Sequence, residues 1–285
     1  MLAHERTDAD RLRGAMSRLR GDPALPPDVS MIVPVNAREH LAAVRELLAD
    51  VASYGGQHTL EMILVINNYP GDRPPPELEA FRHMGVQVLA IPNVRRTGEE
   101  VALSARFMGL EIAGAEHTIH FDADCRVPNA TALIDWYVEQ LSGGAQLAYT
   151  NTQYHGLSPS AAMRVRIMAH HLARWIKRVV LGTPTARGSN FALRRSFGLP
   201  LRDDPRLSGQ ELRWGPAVRA AEGRVVYSGR PDLVLLTSGR KIEDGWRNLL
   251  IYLWWRLRYN WHWLRTAPRA DSRSGTGGWD THGRT

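Results

Sequence analysis

The chain has 285 residues, of which 44% are hydrophobic and 23% charged, and it has one cysteine, Cys125. That length supports one large core or two small ones, and the composition excludes a disordered chain, a collagen-like repeat, an intrachain disulfide framework and a multi-cysteine zinc site. The balance is basic, 36 Lys and Arg against 29 Asp and Glu for a net charge of +7, which suits an anionic partner: nucleotide phosphates, lipid headgroups or nucleic acid.

Residues 1–28 read as a charged, partly disordered lead-in with a short helix over 9–20, ended by Gly21-Asp22-Pro23 and Pro26-Pro27. They contain no apolar stretch of the signal-peptide kind. The apolar run 29–35 predicts a strand. Leu41, Val44, Leu47, Leu48 and Val51 fall at helical spacing and predict a helix over 38–53. A second strand over 60–66 stops at Asn67-Asn68-Tyr69-Pro70-Gly71. A Pro-rich loop, a helix over 77–84 and a third strand over 86–91 follow. A helix over 98–113 leads into a fourth strand, 117–121, which ends in Asp122-Ala123-Asp124.

Strands alternating with helices predict an α/β fold with a mostly parallel central sheet and helices on both faces. Such sheets bind ligands beyond the carboxyl ends of their strands. Here those ends carry Asn36, Asn67-Asn68, residues 93–96 and Asp122–Asp124. The second half predicts a helix over 128–141, a strand over 146–152 and a long basic and apolar helix over 160–181. A strand over 188–193, a helix over 209–221 and strands over 225–227 and 233–237 come next. Residues 266–285 collapse to Arg, Ser, Gly, Asp and Thr and read as a disordered tail.

Asp122 and Asp124 are two carboxylates one residue apart on a loop leaving a sheet. Hard oxygen donors in that arrangement suit Mg²⁺ or Mn²⁺, which then bridge to phosphate oxygens. An isolated Asp-x-Asp is more often a polar strand end, so its context matters. That context is the run 29–36 ending Pro34-Val35-Asn36, the strand ending Asn67-Asn68, and Ala105-Arg106-Phe107-Met108-Gly109-Leu110 before the Asp-x-Asp strand. Downstream stand Gly188-Ser189-Asn190, then Ser208-Gly209-Gln210-Glu211, then 236–241. In order and spacing, from about residue 29 to 241, these resemble the family 2 glycosyltransferases of the GT-A fold.

The resemblance implies a nucleotide-sugar half over 29–127 and an acceptor half over 128–241 of one domain. It implies transfer of a sugar from a nucleoside-diphosphate sugar to an acceptor hydroxyl, with inversion and with Mn²⁺ or Mg²⁺. Glu211 stands at the position of the family's base, with Asp122 and Asp124 at the metal and ribose. Pro34, Val35, Asn36, Asn67, Asn68, Arg95, Arg96, Arg106 and Ala123 fall on the donor side. Gly188, Ser189, Asn190, Gln210 and Trp214 fall on the acceptor side. His262 is a weak third metal ligand. The chain departs from the family at Asn67-Asn68, where an acidic residue is usual, at Phe107 in place of Asn, and at Gln210-Glu211 in place of Glu-Asp. A Gln-x-x-Arg-Trp signature of processive synthases is not read in clean form, so non-processive transfer is expected.

Two stretches combine basic and apolar residues. In 163–180, helical spacing puts Arg166, His170, Arg174 and Lys177 on one broad side, and the apolar residues mostly elsewhere. Residues 242–265 predict an aromatic and basic amphipathic helix with Trp, Tyr and Arg, the residues that settle at lipid headgroups. The expected location is cytoplasmic, with a glycan, lipid-linked or cell-envelope acceptor; for 246–265 two readings stay open, the inner face of an anionic membrane and packing in the core. Two other classes stay open, a nucleic-acid-binding protein and an inactive transferase-like scaffold. No zinc, RNP or helix-turn-helix motif supports the first, so no nucleic acid is expected.

Overall fold

Strands of a parallel sheet are covered on both faces, so their sequences are almost continuously apolar. Val29–Asn36 (β1) and Leu60–Asn67 (β2) are built this way and lie at the middle of the sheet. This is a computed structural model. It describes residues 2–69, 71, 73–93, 100–158, 160–180, 182–184, 186, 189–204, 207, 213–239 and 254. The helices of the first half are α1 (Leu2–Arg20), α2 (Leu41–Ala52), α3 (Glu77–His83) and α4 (Val101–Ile112), with strands β3 (Gln87–Ala90) and β4 (His117–Phe121). The second half holds α5 (Ala130–Ser142), β5 (Leu147–Thr150), β6 (Thr152–His155), α6 (Ala161–Trp175), β7 (Asn190–Arg194), α7 (Arg195–Gly198), α8 (Trp214–Ala220), β8 (Val225–Ser228) and β9 (Leu235–Ser238).

The main sheet runs β3-β2-β1-β4-β7-β5-β8. β7 is antiparallel to both its neighbours, and the other pairs are parallel. Alternation along β1 divides the core. Met31 and Val33 face a layer where α2, α3 and α5 bury Leu47, Phe81 and Leu133. Ile32 faces the other layer, where α4 and α8 bury Phe107, Leu110 and Trp214. Asn129 caps α5 by accepting from the Ala132 N–H at 3.0 Å, and Ser160 caps α6 by accepting from the Met163 N–H at 3.2 Å.

Three elements differ from expectation. α1 begins at Leu2 rather than near residue 9. The strand expected over 146–152 is two strands, because the Asn151 side chain accepts from the Thr152 N–H at 3.0 Å and the chain leaves the main sheet there. β6 then pairs in parallel with β9 in a separate two-stranded sheet. The helix expected over 160–181 gives way to a single π turn over Ile176–Val180. Of the helix expected over 209–221, Trp214–Ala220 is described. Among the described residues, no helix is long and apolar enough to cross a membrane.

Gly109 shows why α4 can press on the sheet. A Cβ there would stand 2.4 Å from Ile32 Cγ2 on β1. Gly109→Ala is expected to lower stability: overpacking costs about 1–3 kcal/mol and outweighs the helix-propensity gain of about 1 kcal/mol. Gly14→Ala is the control, because a Cβ on Gly14 of α1 meets nothing within 4 Å. Urea unfolding of the two variants should move the midpoint in opposite directions.

Candidate active site

The ends of β2, β1 and β4 lie side by side, so their polar residues share one edge of the sheet. Pro34 and Val35 are buried in β1, and Asn36 is the first side chain of that strand to reach the surface. Asn36 is level with Asn67 on β2. Its Oδ1 accepts from Asn68 Nδ2 at 2.9 Å and from the Arg38 N–H at 3.1 Å. Asn68 holds φ at 59°, a left-handed conformation that asparagine tolerates better than most side chains. Asn67 is buried at 3% exposure, which leaves Asn36 and Asn68 as the amides this edge presents.

The two aspartates of the Asp-x-Asp loop have different surroundings. Asp122 pairs with Arg106, which α4 carries into the core with no exposure. Arg106 NH1 also donates to the Phe121 carbonyl at 3.2 Å. Arg106, expected on the donor side, is instead the buried counter-ion of Asp122. Asp124 is half-buried and faces a cavity of about 230 Å³, bordered by Glu39 and His40 after β1, Glu46 on α2, and His155 and Ser238 on the small sheet. His155 Nε2 lies 3.2 Å from the Asp124 carbonyl. Ala123 and Cys125 are buried beneath the loop. Burial pushes the Cys125 thiol well up, with the charges of Asp122 and Asp124 adding to it, so it stays a neutral packing group.

Arg126 pins this loop from outside. Its Nε and NH2 donate to Asp50 at 2.7 and 2.8 Å, and its NH1 donates to Glu46 at 2.8 Å. Its backbone pairs with Leu236 in both directions, at 2.8 and 3.0 Å. The loop is thereby tied to α2 and to β9 at once. Beneath it, His120 of β4 is buried and stacked on Phe191 at 4.4 Å. Burial, with the Arg106 charge second, holds its pKa well below the ordinary imidazole range.

On the expected acceptor side, Ser189 and Asn190 sit behind the Asp-x-Asp loop, Asn190 opposite Phe121 across the β4–β7 ladder. Asn190 Oδ1 accepts from the Tyr137 hydroxyl at 2.5 Å, and its Nδ2 donates to Thr150 Oγ1 at 2.8 Å. It forms the floor of a small cleft lined also by Asn151, Arg174, Arg178 and Tyr227. Trp214 is a correction. Its ring is fully buried against Phe107, His120 and Phe191, so it shapes the site from behind and cannot touch an acceptor. Gly188, Gln210, Glu211, Arg95, Arg96, His262 and nearly all of 242–265 lie outside the described residues. The chain does spell Gln210-Glu211-Leu212-Arg213-Trp214, a clean Gln-x-x-Arg-Trp spacing. Non-processive transfer therefore has no support from a missing signature.

Among the described residues, no group of three or more His, Cys, Asp or Glu side chains converges as a complete metal site. The donor set at Asp124 is carboxylate oxygen. That suits a hard divalent cation that draws its remaining ligands from phosphate and water.

Several solved structures share this architecture. A mannosyltransferase from Pyrobaculum calidifontis, in complex with GDP-Man and Mn²⁺, superposes with a TM-score of 0.50 at 16% identity, covering 95% of this chain and 86% of its own. The fold is that of a GT-A glycosyltransferase. The M. tuberculosis glucosyl-3-phosphoglycerate synthase gives a TM-score of 0.49 at 16% identity, over 90% of this chain and 86% of that one. Residues 1–349 of S. aureus TarS give 0.49 at 15% identity, over 85% and 67%. The chain spans 39% of the longer TarS structure. No protein-family model matches the sequence, and no curated protein matches it either.

Proposed function

We propose that the protein is an inverting glycosyltransferase that moves a sugar from a nucleoside-diphosphate sugar to an acceptor hydroxyl. The observation that carries the reading is one edge of a GT-A sheet to which β1, β2 and β4 bring Asn36, Asn68 and the Asp122–Asp124 loop, with Asp124 facing an open cavity. Asn36 and Asn68 present amides that can hydrogen-bond the edge of a nucleobase. Asp124, with the second oxygen of Asp122, would hold Mn²⁺ or Mg²⁺. A divalent cation there would supply positive charge to balance that of the diphosphate. Glu211 takes the proton from the attacking hydroxyl. The basic and aromatic residues 246–265 support a lipid-linked or envelope acceptor at the inner face of a membrane.

The test is thermal unfolding with nucleoside diphosphates and nucleotide sugars, with and without Mn²⁺. A ligand at a hundred times its Kd stabilises by about 2.7 kcal/mol, and this should appear as a rise in Tm only when Mn²⁺ is present. No rise with any nucleotide would overturn the reading. Release of nucleoside diphosphate from the sugar donor then separates an enzyme from an inactive scaffold.

A further inference from the structure

Helix α6 and its π turn are inverted relative to an ordinary surface helix. His170, Arg174 and Lys177 are turned inward, at 5–6% exposure. Met168, Leu172, Trp175, Ile176, Val179 and Val180 are turned outward, between 39% and 66% exposed. The outward residues recur at three and four positions and make one unbroken stripe. The inward polar groups fix this rotation. His170 Nδ1 lies 3.0 Å from the Tyr154 hydroxyl, and Arg174 NH2 donates to the Thr152 carbonyl at 2.9 Å. Arg174 also lies over the Tyr154 ring at 5.7 Å. Rolling the helix to hide its apolar stripe would break these contacts.

Charge decides what covers the stripe. Residues 160–180 contain Arg164, Arg166, Arg174, Lys177 and Arg178 and no acidic residue. Residues 246–265, the most apolar part of the remaining chain, contain Arg247, Arg256, Arg258 and Arg265 and again no acid. Packing that segment on α6, or packing two copies of α6 together, would gather like charges, because neither segment contains an acid. Within 246–265, Trp254 is described, and it is 62% exposed. An anionic surface with an apolar interior complements both the stripe and Arg164, the exposed cation of α6.

We propose that α6 docks by this stripe into the headgroup layer of an anionic lipid bilayer, lying in the plane of the surface. Aromatic and aliphatic side chains enter the acyl boundary while the exposed Arg164 stays at the phosphates. The cleft of Arg174, Arg178 and Asn190 then lies on the protein side of the same helix, about one helix diameter, ~10 Å, from the lipid. Bilayer docking does not rest on the transfer reading, and its test uses neither nucleotide nor sugar.

The experiment is flotation of the full chain with phosphatidylcholine vesicles, with and without phosphatidylglycerol. It compares the parent with the double variant Met168→Gln, Leu172→Gln. Glutamine keeps helix propensity and net charge, and both sites are more than half exposed, so the unfolding midpoint should hold. The parent is expected to float with the phosphatidylglycerol vesicles and much less with phosphatidylcholine alone. The variant should partition at least about tenfold more weakly. A parent that stays in the aqueous phase with both vesicles overturns the proposal. So does a folded variant that floats as well as the parent. A parent that dimerises without binding vesicles, and a variant that does not dimerise, gives the stripe to a second copy and overturns it too.

Discussion

Asp124→Ala is expected to abolish Mn²⁺-dependent binding of a nucleoside diphosphate while leaving the unfolding midpoint near the parent's. Asp122→Ala is expected to unfold more easily, by about 3 kcal/mol. The two residues are one apart in sequence, yet their surroundings divide their roles. Asp124 faces the cavity, so its carboxylate is available to a cation. Asp122 is the counter-ion of a guanidinium with no exposure at all. Removing one partner of a buried ion pair strands the other charge in the interior, at roughly 3–5 kcal/mol. The Asp122 side chain is 38% exposed, so water softens the loss and the lower end of that range is expected. A double-mutant cycle checks the cause. Arg106→Met in the Asp122→Ala background removes the stranded charge and should recover much of the stability. Calorimetry with Mn²⁺ and a nucleoside diphosphate reads the binding half. Unchanged affinity in Asp124→Ala would show that the cation, if any, is held elsewhere.

The frame of this site was legible because strand ends are legible. The apolar runs at β1, β2 and β4 stop within a residue or two of where the sheet releases the chain, and the polar residues that follow must gather on one edge. Trp214 and Arg106 were misplaced for a common reason. A motif fixes where a residue stands along the chain and not which way its side chain turns. A buried arginine becomes visible only when its carboxylate, sixteen residues on, is seen beside it. His155 was missed because Thr152-Gln153-Tyr154-His155 lacks the apolar run that marks a strand. Its partner β9 lies some eighty residues away, beyond any local pattern. Arg126 left a faint signal in Glu46 and Asp50, four apart on one helix and so able to grip a shared cation. Helix α6 taught the opposite lesson. Its moment was readable, but the direction of that moment was set by Tyr154 and Thr152, on a strand that the sequence did not separate from the one before it.

Glu211→Gln should keep donor binding and lose transfer by about 10²–10⁴ in rate. Gln210 cannot accept a proton at neutral pH, so within Gln210-Glu211 the only carboxylate is Glu211. It stands three residues before Trp214, whose ring packs 6.3 Å from His120, two residues ahead of Asp122. Glutamine keeps the shape of glutamate and one acceptor oxygen but takes no proton. A thermal shift with donor and Mn²⁺ should therefore match the parent while product formation collapses. Among the described residues, His155 is a rival proton acceptor: its Nε2 donates to the Asp124 carbonyl at 3.2 Å, which leaves Nδ1 to accept. His155→Asn is therefore measured beside it. If Glu211→Gln transfers sugar at the parent rate and His155→Asn does not, the proton goes to the imidazole, and the acceptor hydroxyl approaches from the side of the small sheet.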